Sequence, residues 1–216
     1  MQMSPPQASH APRGGARRKL LDASLDLFRE RGYAATSVDE LCAAAGVTKG
    51  AFFHHFASKD ALAIESASHW SELSSALFAA APYHRLADPL ERVLGYLDFR
   101  RQLLVGELPE ITCLAGTLVQ EVYESHPDIA RACEASICEH AKTLEADIAA
   151  AMRRYRVRGR WTAASLALHT QTVLQGAFVV AKARDSVEFA IDSVSHLRRY
   201  IELLFQKRGR EARSLQ

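Results

Sequence analysis

The sequence predicts an all-α protein of about nine helices, on three observations. Alanine and leucine are abundant while glycine and proline are sparse inside the periodic stretches. Apolar residues recur at three- and four-residue spacings. Cap and stop residues punctuate the chain at helix-length intervals. The chain has 216 residues, 48% of them hydrophobic, which allows a sizeable core in one domain or two small ones.

Residues 1–15 carry three prolines, two glycines and small polar side chains, and read as a disordered arm. Around its end the chain turns basic, with Arg13, Arg17, Arg18 and Lys19. These form either a solvated helix start or a phosphate-contacting arm, because basic residues at a helix N-terminus oppose its dipole.

The first helix spans residues 16–31, with Leu20, Leu21, Leu25, Leu27 and Phe28 on its apolar stripe. Arg29, Arg31 and then Gly32 form a helix stop. Ser37 begins a short second helix reaching about Ala44, and Glu40 three residues on completes a capping box. Gly46 ends it, since glycine accepts a left-handed conformation. Thr48 caps a third short helix running through His55. Ser58 caps a fourth, from Lys59 to about Ala80.

Asp88-Pro89-Leu90-Glu91 supplies an N-cap, an N1 proline and an acidic third residue, so a fifth helix is expected from there to about Gly106. Pro109 is expected to break it. A sixth helix follows from about Ile111 to Ser125, and Pro127 opens a seventh that reaches about Tyr155. After Gly159, Thr162 begins an eighth, ending near Arg184. Ser186 begins a ninth, ending near Lys207. Residues 208–216 read as a frayed basic tail.

Bulk properties narrow the function classes. The net charge of +2 does not exclude nucleic acid, because the placement of basic residues decides that. Cys42, Cys113, Cys133 and Cys138 form no C-x-x-C pair, so no zinc fold, metal site or cofactor is expected. Cys133 and Cys138 lie on different helical faces, so no disulfide between them is expected. There is no signal-peptide pattern and no apolar run near the roughly 20 residues that span a bilayer. A soluble, cytoplasmic setting is the simplest reading. No nucleophile–base pair or glycine-rich phosphate loop stands out, so the chain is not read as an enzyme.

Two short helices joined by a glycine-containing turn fit the helix-turn-helix plan: Ser37 to Ala44, then Ala45-Gly46-Val47, then Thr48 to His55. Such short helices are unstable alone and need a shared core. Val38, Leu41, Cys42, Ala45, Val47 and Phe52 supply it, with Phe28 as lid. The start of the later helix must face a major groove. Thr48 and Lys49 can hydrogen-bond there, and Gly50 and Ala51 are small enough for close approach. His54-His55 are poorly placed to share a metal, since adjacent helix residues point about 100° apart.

Leu20-Leu21, Ala23-Ser24, Leu27-Phe28, Gly32-Tyr33, Thr36 to Leu41, Ala45 to Phe56 and Ser58 to Leu62 strongly resemble the N-terminal domain of the TetR/AcrR family of bacterial regulators. The resemblance is close over residues 16–65. It implies an N-terminal three-helix helix-turn-helix domain (16–65) and a C-terminal helical bundle (66–207) for ligand binding and dimerisation. Thr36 and Ser37 would bond a phosphate. Thr48, Lys49, Gly50, Ala51 and His54 would face base edges or nearby phosphates, and His55 and Lys59 would hold the DNA backbone. The family usually has Tyr where this chain has Phe53, so one phosphate contact is missing.

The resemblance further implies a small-molecule pocket within the fifth to eighth helices, and a four-helix dimer interface built from the eighth and ninth. Gly176, Ala177, Ala181 and Ala183 allow close helix approach, Val179 and Val180 add apolar contact, and the ninth helix is richly apolar. Cys113, Thr117, Gln120 and Glu121 on the sixth helix, and His169, Gln171, Gln175 and Phe178 on the eighth, are candidate ligand contacts. Thr172, Trp70, Tyr96 and Phe99 are further candidates. A satisfied polar core is the competing reading for all of them. Cys113 also resembles a position where some family members sense electrophiles, against the alternative of inert packing. The expected whole is a homodimeric repressor released from a palindromic double-stranded DNA operator by a small-molecule effector. An activator of the same fold, or a ligand-independent DNA-bound interaction protein, is the alternative.

Overall fold

Glycine closes the first helix. In this computed structural model, which describes residues 15–206, α1 (Ala16–Arg31) ends at Gly32, whose backbone takes φ 84°. Ser37 then caps α2 (Val38–Ala45) with the expected capping box: its hydroxyl accepts from the Glu40 amide, and the Glu40 carboxylate accepts from the Ser37 amide. Gly46 stops α2 in the left-handed region, at φ 62° and ψ 41°. The Thr48 hydroxyl accepts from the Ala51 amide and starts α3 (Lys49–His55), and Ser58 does the same for Ala61 at the head of α4 (Lys59–Ala79).

Ten α-helices are present among the described residues, with a one-turn 3-10 helix at Pro82–Arg85. The remaining six are α5 (Pro89–Gln102), α6 (Leu108–Ile111), α7 (Leu114–Val122), α8 (Pro127–Arg154), α9 (Ala163–Arg184) and α10 (Glu188–Gln206). Strands are absent among the described residues. The expected disordered arm, apart from Gly15, and the basic tail lie outside the described residues.

The structure differs from the sequence expectation around Pro109. The fifth helix stops at Gln102 rather than Gly106. Pro109 opens the single turn α6, where Glu107 and Glu110 form a capping box, instead of breaking a helix. A proline is tolerated in a first turn because the N–H it lacks has no intrahelical partner there. The expected sixth helix is therefore shorter, with Cys113 at its N-cap.

The chain divides into two compact units: residues 1–75 with 105–137, and 76–104 with 138–216. In the first, Leu20, Phe28, Leu41, Phe52, Phe56 and Leu62 from α1–α4 and their connections share one apolar core with Leu114 and Leu118 of α7 and Ile129 of α8. Each is at most 1% exposed, which stabilises the fold by about 1.5–3 kcal/mol per side chain. Ser24 of α1 and Ser66 of α4 sit in this core with hydroxyls 2.5 Å apart; each has one proton, so one donates to its own helix carbonyl and the other donates to its neighbour's oxygen. In the second unit, Tyr96 and Leu97 of α5, Leu174 of α9 and Ile201 of α10 are at most 2% exposed. Arg92 pairs with Asp147 at 2.6 Å and Arg198 with Asp98 at 2.9 Å, tying α5 to α8 and to α10.

Candidate nucleic-acid interface

The short helices α2 and α3 bury one face and leave another bare. Leu41, Cys42 and Ala45 of α2 and Phe52 of α3 are buried against Phe28, with Phe56 at the α3 C-cap closing the base. Burial, first of all, raises the Cys42 thiol above its ordinary range, as suits a packing residue. The opposite side of α3 carries Thr48, Lys49, Gly50, Phe53 and His54, all exposed, with Ala51 and His55 half-buried beside them. Positions 49, 50, 53 and 54 lie on one helical face, so α3 presents a continuous surface of one turn and a half.

Gly50 leaves part of this face low. A β-carbon there would meet only the Thr48 hydroxyl at 3.8 Å, so nothing within the chain requires glycine. Gly50 is the second residue of α3, in its first turn, where alanine favours the helix over glycine by up to about 1 kcal/mol. What it provides is a low surface against which another body can approach closely.

The Lys49 ammonium lies 2.8 Å from Asp39 of α2, which raises its pKa by hydrogen bonding and charge. Both side chains are largely solvated, so this pair holds loosely and can be exchanged for a phosphate. Asp39 is a residue that sequence reasoning missed, because helical spacing cannot relate positions on either side of the turn.

Two of the expected phosphate contacts are engaged elsewhere. Thr36 is 1% exposed and its hydroxyl donates to the Gly32 carbonyl. The Lys59 ammonium donates to the Tyr33 and Thr36 carbonyls, both at 2.9 Å, and lies 4.1 Å from the Tyr33 ring centroid. These residues fasten the α1–α2 turn to the head of α4. Tyr33 joins them by donating to Asp60, and its phenol is driven to a higher pKa by burial and by that carboxylate. Ser37 remains exposed. Of the basic residues near the arm, Arg17 pairs with Glu65, and Arg18 pairs with Asp22 at 2.9 Å, as on a solvated helix start.

The candidate ligand contacts divide between the units. Cys113, Thr117, Gln120 and Glu121 belong to the first, and His169, Gln171, Gln175 and Phe178 to the second. Cys113 is half-buried, near enough to Cys133 to perturb its thiol, which burial and that neighbour push up to about 12. Gln120 donates to its own helix at the Gly116 carbonyl, 2.7 Å away. Glu121 is exposed, and its carboxylate accepts from the Tyr33 and Ala34 amides at 3.2 and 3.0 Å. His169 is exposed with its ring 5.6 Å from that of Tyr200, Gln175 is half-buried, and Phe178 is 7% exposed. Gln171 is buried and donates to the Tyr96 hydroxyl at 2.9 Å.

Comparison with known proteins agrees with this geometry. Residues 20–65 match the sequence model of "Bacterial regulatory proteins, tetR family". The HTH-type transcriptional regulator AcrR of Shigella flexneri is 32% identical over 151 residues, covering 61% of this chain and 68% of AcrR. The HTH-type transcriptional repressor KstR2 of Rhodococcus jostii is 42% identical over 64 residues, which is 29% of this chain and 31% of KstR2. The chain thus matches about a third of that relative's length. A solved TetR-family regulator from Agrobacterium tumefaciens superposes with a TM-score of 0.75 at 18% identity, over 86% of this chain and 96% of that one.

Proposed function

The chain belongs to the TetR/AcrR family of DNA-binding transcriptional regulators, and from that premise we propose that it is a cytoplasmic, homodimeric repressor released from a palindromic operator by a small-molecule effector. The observation that carries the DNA-binding part is the bare face of α3, with Lys49 at its start and a glycine beside it that the fold does not require. Thr48, Lys49, Gly50, Ala51 and His54 face the major groove, and Ser37 and His55 flank it. Repression, rather than activation, is the reading supported by similarity to KstR2, a transcriptional repressor.

Dimerisation is supported by α9 and α10. Leu168, Val179 and Val180 of α9 and Tyr200 and Leu203 of α10 are 43–50% exposed. Gly176 lies exposed in the interior of α9 with open space around it, so it suits close approach of a second copy. Ala177 and Ala181, by contrast, are buried within their own chain. No helix among the described residues is long and apolar enough to cross a membrane, so an apolar face of this kind suits a protein partner.

An effector can act only by binding two dimer geometries with different affinity, one of which matches the groove spacing. Genome-wide footprinting of the bound protein tests the proposal. Near-palindromic sites beside a small set of promoters are expected, and uniform, sequence-independent coverage would refute it.

A further inference from the structure

Arg100, in the last turn of α5, is a half-buried cation whose partners among the described residues are all neutral. Its Nε donates to the Tyr96 hydroxyl at 2.9 Å and its Nη2 to His140 Nε2 at 2.7 Å. The guanidinium lies 4.3 Å from the Phe78 ring centroid and 5.4 Å from that of Tyr96. No carboxylate among the described residues pairs with it. Asp147, whose charge is felt by neighbouring Tyr83, is committed to Arg92 at 2.6 Å, and Asp98 to Arg198 at 2.9 Å.

The cluster is also short of acceptors. Tyr96, 0% exposed, accepts from both Arg100 and Gln171 and therefore donates its own proton to His140 Nε2, 3.0 Å away. That nitrogen has a single lone pair and faces two donors. The imidazole must be neutral to serve at all, and burial, then the Arg100 charge, holds its pKa down to about 3. A guanidinium brings five N–H groups, and here it meets two shared acceptors. The C-terminal end of α5 offers it only about half an elementary charge, which is no counter-ion. Half-buried, the charge is only partly solvated, and a carboxylate would complete its pairing.

We propose that Arg100 binds the carboxylate of the effector, and that the effector is a carboxylate that carries an aromatic ring. The planar fork of a guanidinium matches a carboxylate in two parallel hydrogen bonds. The surroundings select the rest of the molecule. Phe78 meets Phe99 edge to face at 5.3 Å, and Tyr83 lies 6.1 Å from Phe99, so the cation is set in an aromatic wall. Gln171 and His140 keep Tyr96 fixed as the third side of the clamp. This inference rests on the reading of the chain as an effector-released regulator, and names the chemistry of that effector.

The test titrates the full-length protein with benzoate, 4-hydroxybenzoate, cinnamate and indole-3-acetate, each beside its uncharged amide. Thermal stability and release of a footprinted operator are the two readouts. At least one acid should raise the melting temperature saturably and release the operator, with its amide bound about tenfold or more weaker. Arg100→Gln should lose the preference for acid over amide, and Arg100→Lys should keep part of it. Amides that match the acids in the wild type, where no variant is needed, would overturn the proposal. So would acids without effect alongside neutral metabolites that release the operator, and that result leaves the effector reading standing. Failure of every acid, amide and neutral metabolite to bind would overturn both.

Discussion

The Glu121 carboxylate is hydrogen-bonded to the Tyr33 backbone amide, joining the C-terminal turn of α7 to the turn between α1 and α2. The contact forces glycine on the chain at position 32. A β-carbon there would lie 1.9 Å from Glu121 Oε1, and the backbone at φ 84°, ψ 177° is one that other residues rarely adopt. Gly32→Ala should therefore destabilise the protein by about 3 kcal/mol, combining backbone strain with loss of the carboxylate contact. Glu121→Gln, which keeps the shape and removes the charge, should cost about 1 kcal/mol. Urea denaturation of both variants checks the order, and equal effects would mean that neither backbone strain nor the crowding at position 32 adds to the loss of the carboxylate's hydrogen bonds.

The helix-turn-helix was legible because its signals are local. Ser37 and Glu40, Gly46, and Thr48 each act within a few residues of their partners, and the structure shows each of them doing so. Pro109 was ambiguous, since proline ends one helix and begins another by the same missing N–H. Glu121 and Gln120 have the pattern expected of pocket residues, yet their partners are backbone groups, in one case 88 positions away. Polar residues on an apolar helix declare a need for partners without saying which. Arg100 and His140 escaped notice for the same reason, being 40 residues apart.

His140 makes stability depend on pH in a predictable direction. Its folded pKa, near 3, lies below the ordinary 6.5, so between these values the unfolded chain binds a proton that the folded chain does not. Its contribution is complete above about pH 6.5 and is lost as the pH falls toward 3. The loss is at most about 1.4 kcal/mol per pH unit. His140→Gln should flatten this slope between pH 6.5 and 4 in denaturation experiments. An unchanged slope would mean that other groups carry the acid sensitivity.

Phe53 is 52% exposed on the outer face of α3, where the family usually has tyrosine. On the proposed docking of α3, Phe53→Tyr adds one hydroxyl for a phosphate to accept from, and it keeps the ring that meets Phe52. Operator affinity should tighten about five- to tenfold, the value of one added hydrogen bond. The melting temperature should not move. Unaltered affinity in an anisotropy titration would place Phe53 away from the DNA backbone.

Val180 and Leu203 are 48% and 50% exposed on α9 and α10. If these faces form the proposed dimer, introducing a charge at each, as Val180→Glu and Leu203→Glu, should give a monomer in sedimentation equilibrium, because a carboxylate buried without a partner is costly. Operator binding should fall with it, since the two recognition helices are then no longer held together. A dimer that survives both changes would put the interface elsewhere.

Lys49 stands at the N-terminal end of α3, the end proposed to read DNA. The measurement is operator affinity as a function of salt concentration, for wild type and Lys49→Ala, on a footprinted site whose half-sites lie one or more helical turns (~34–36 Å each) apart. The variant should bind more weakly, with a salt slope smaller by about one unit for each lysine–phosphate contact removed. Equal affinity and equal slope would contradict that role of α3.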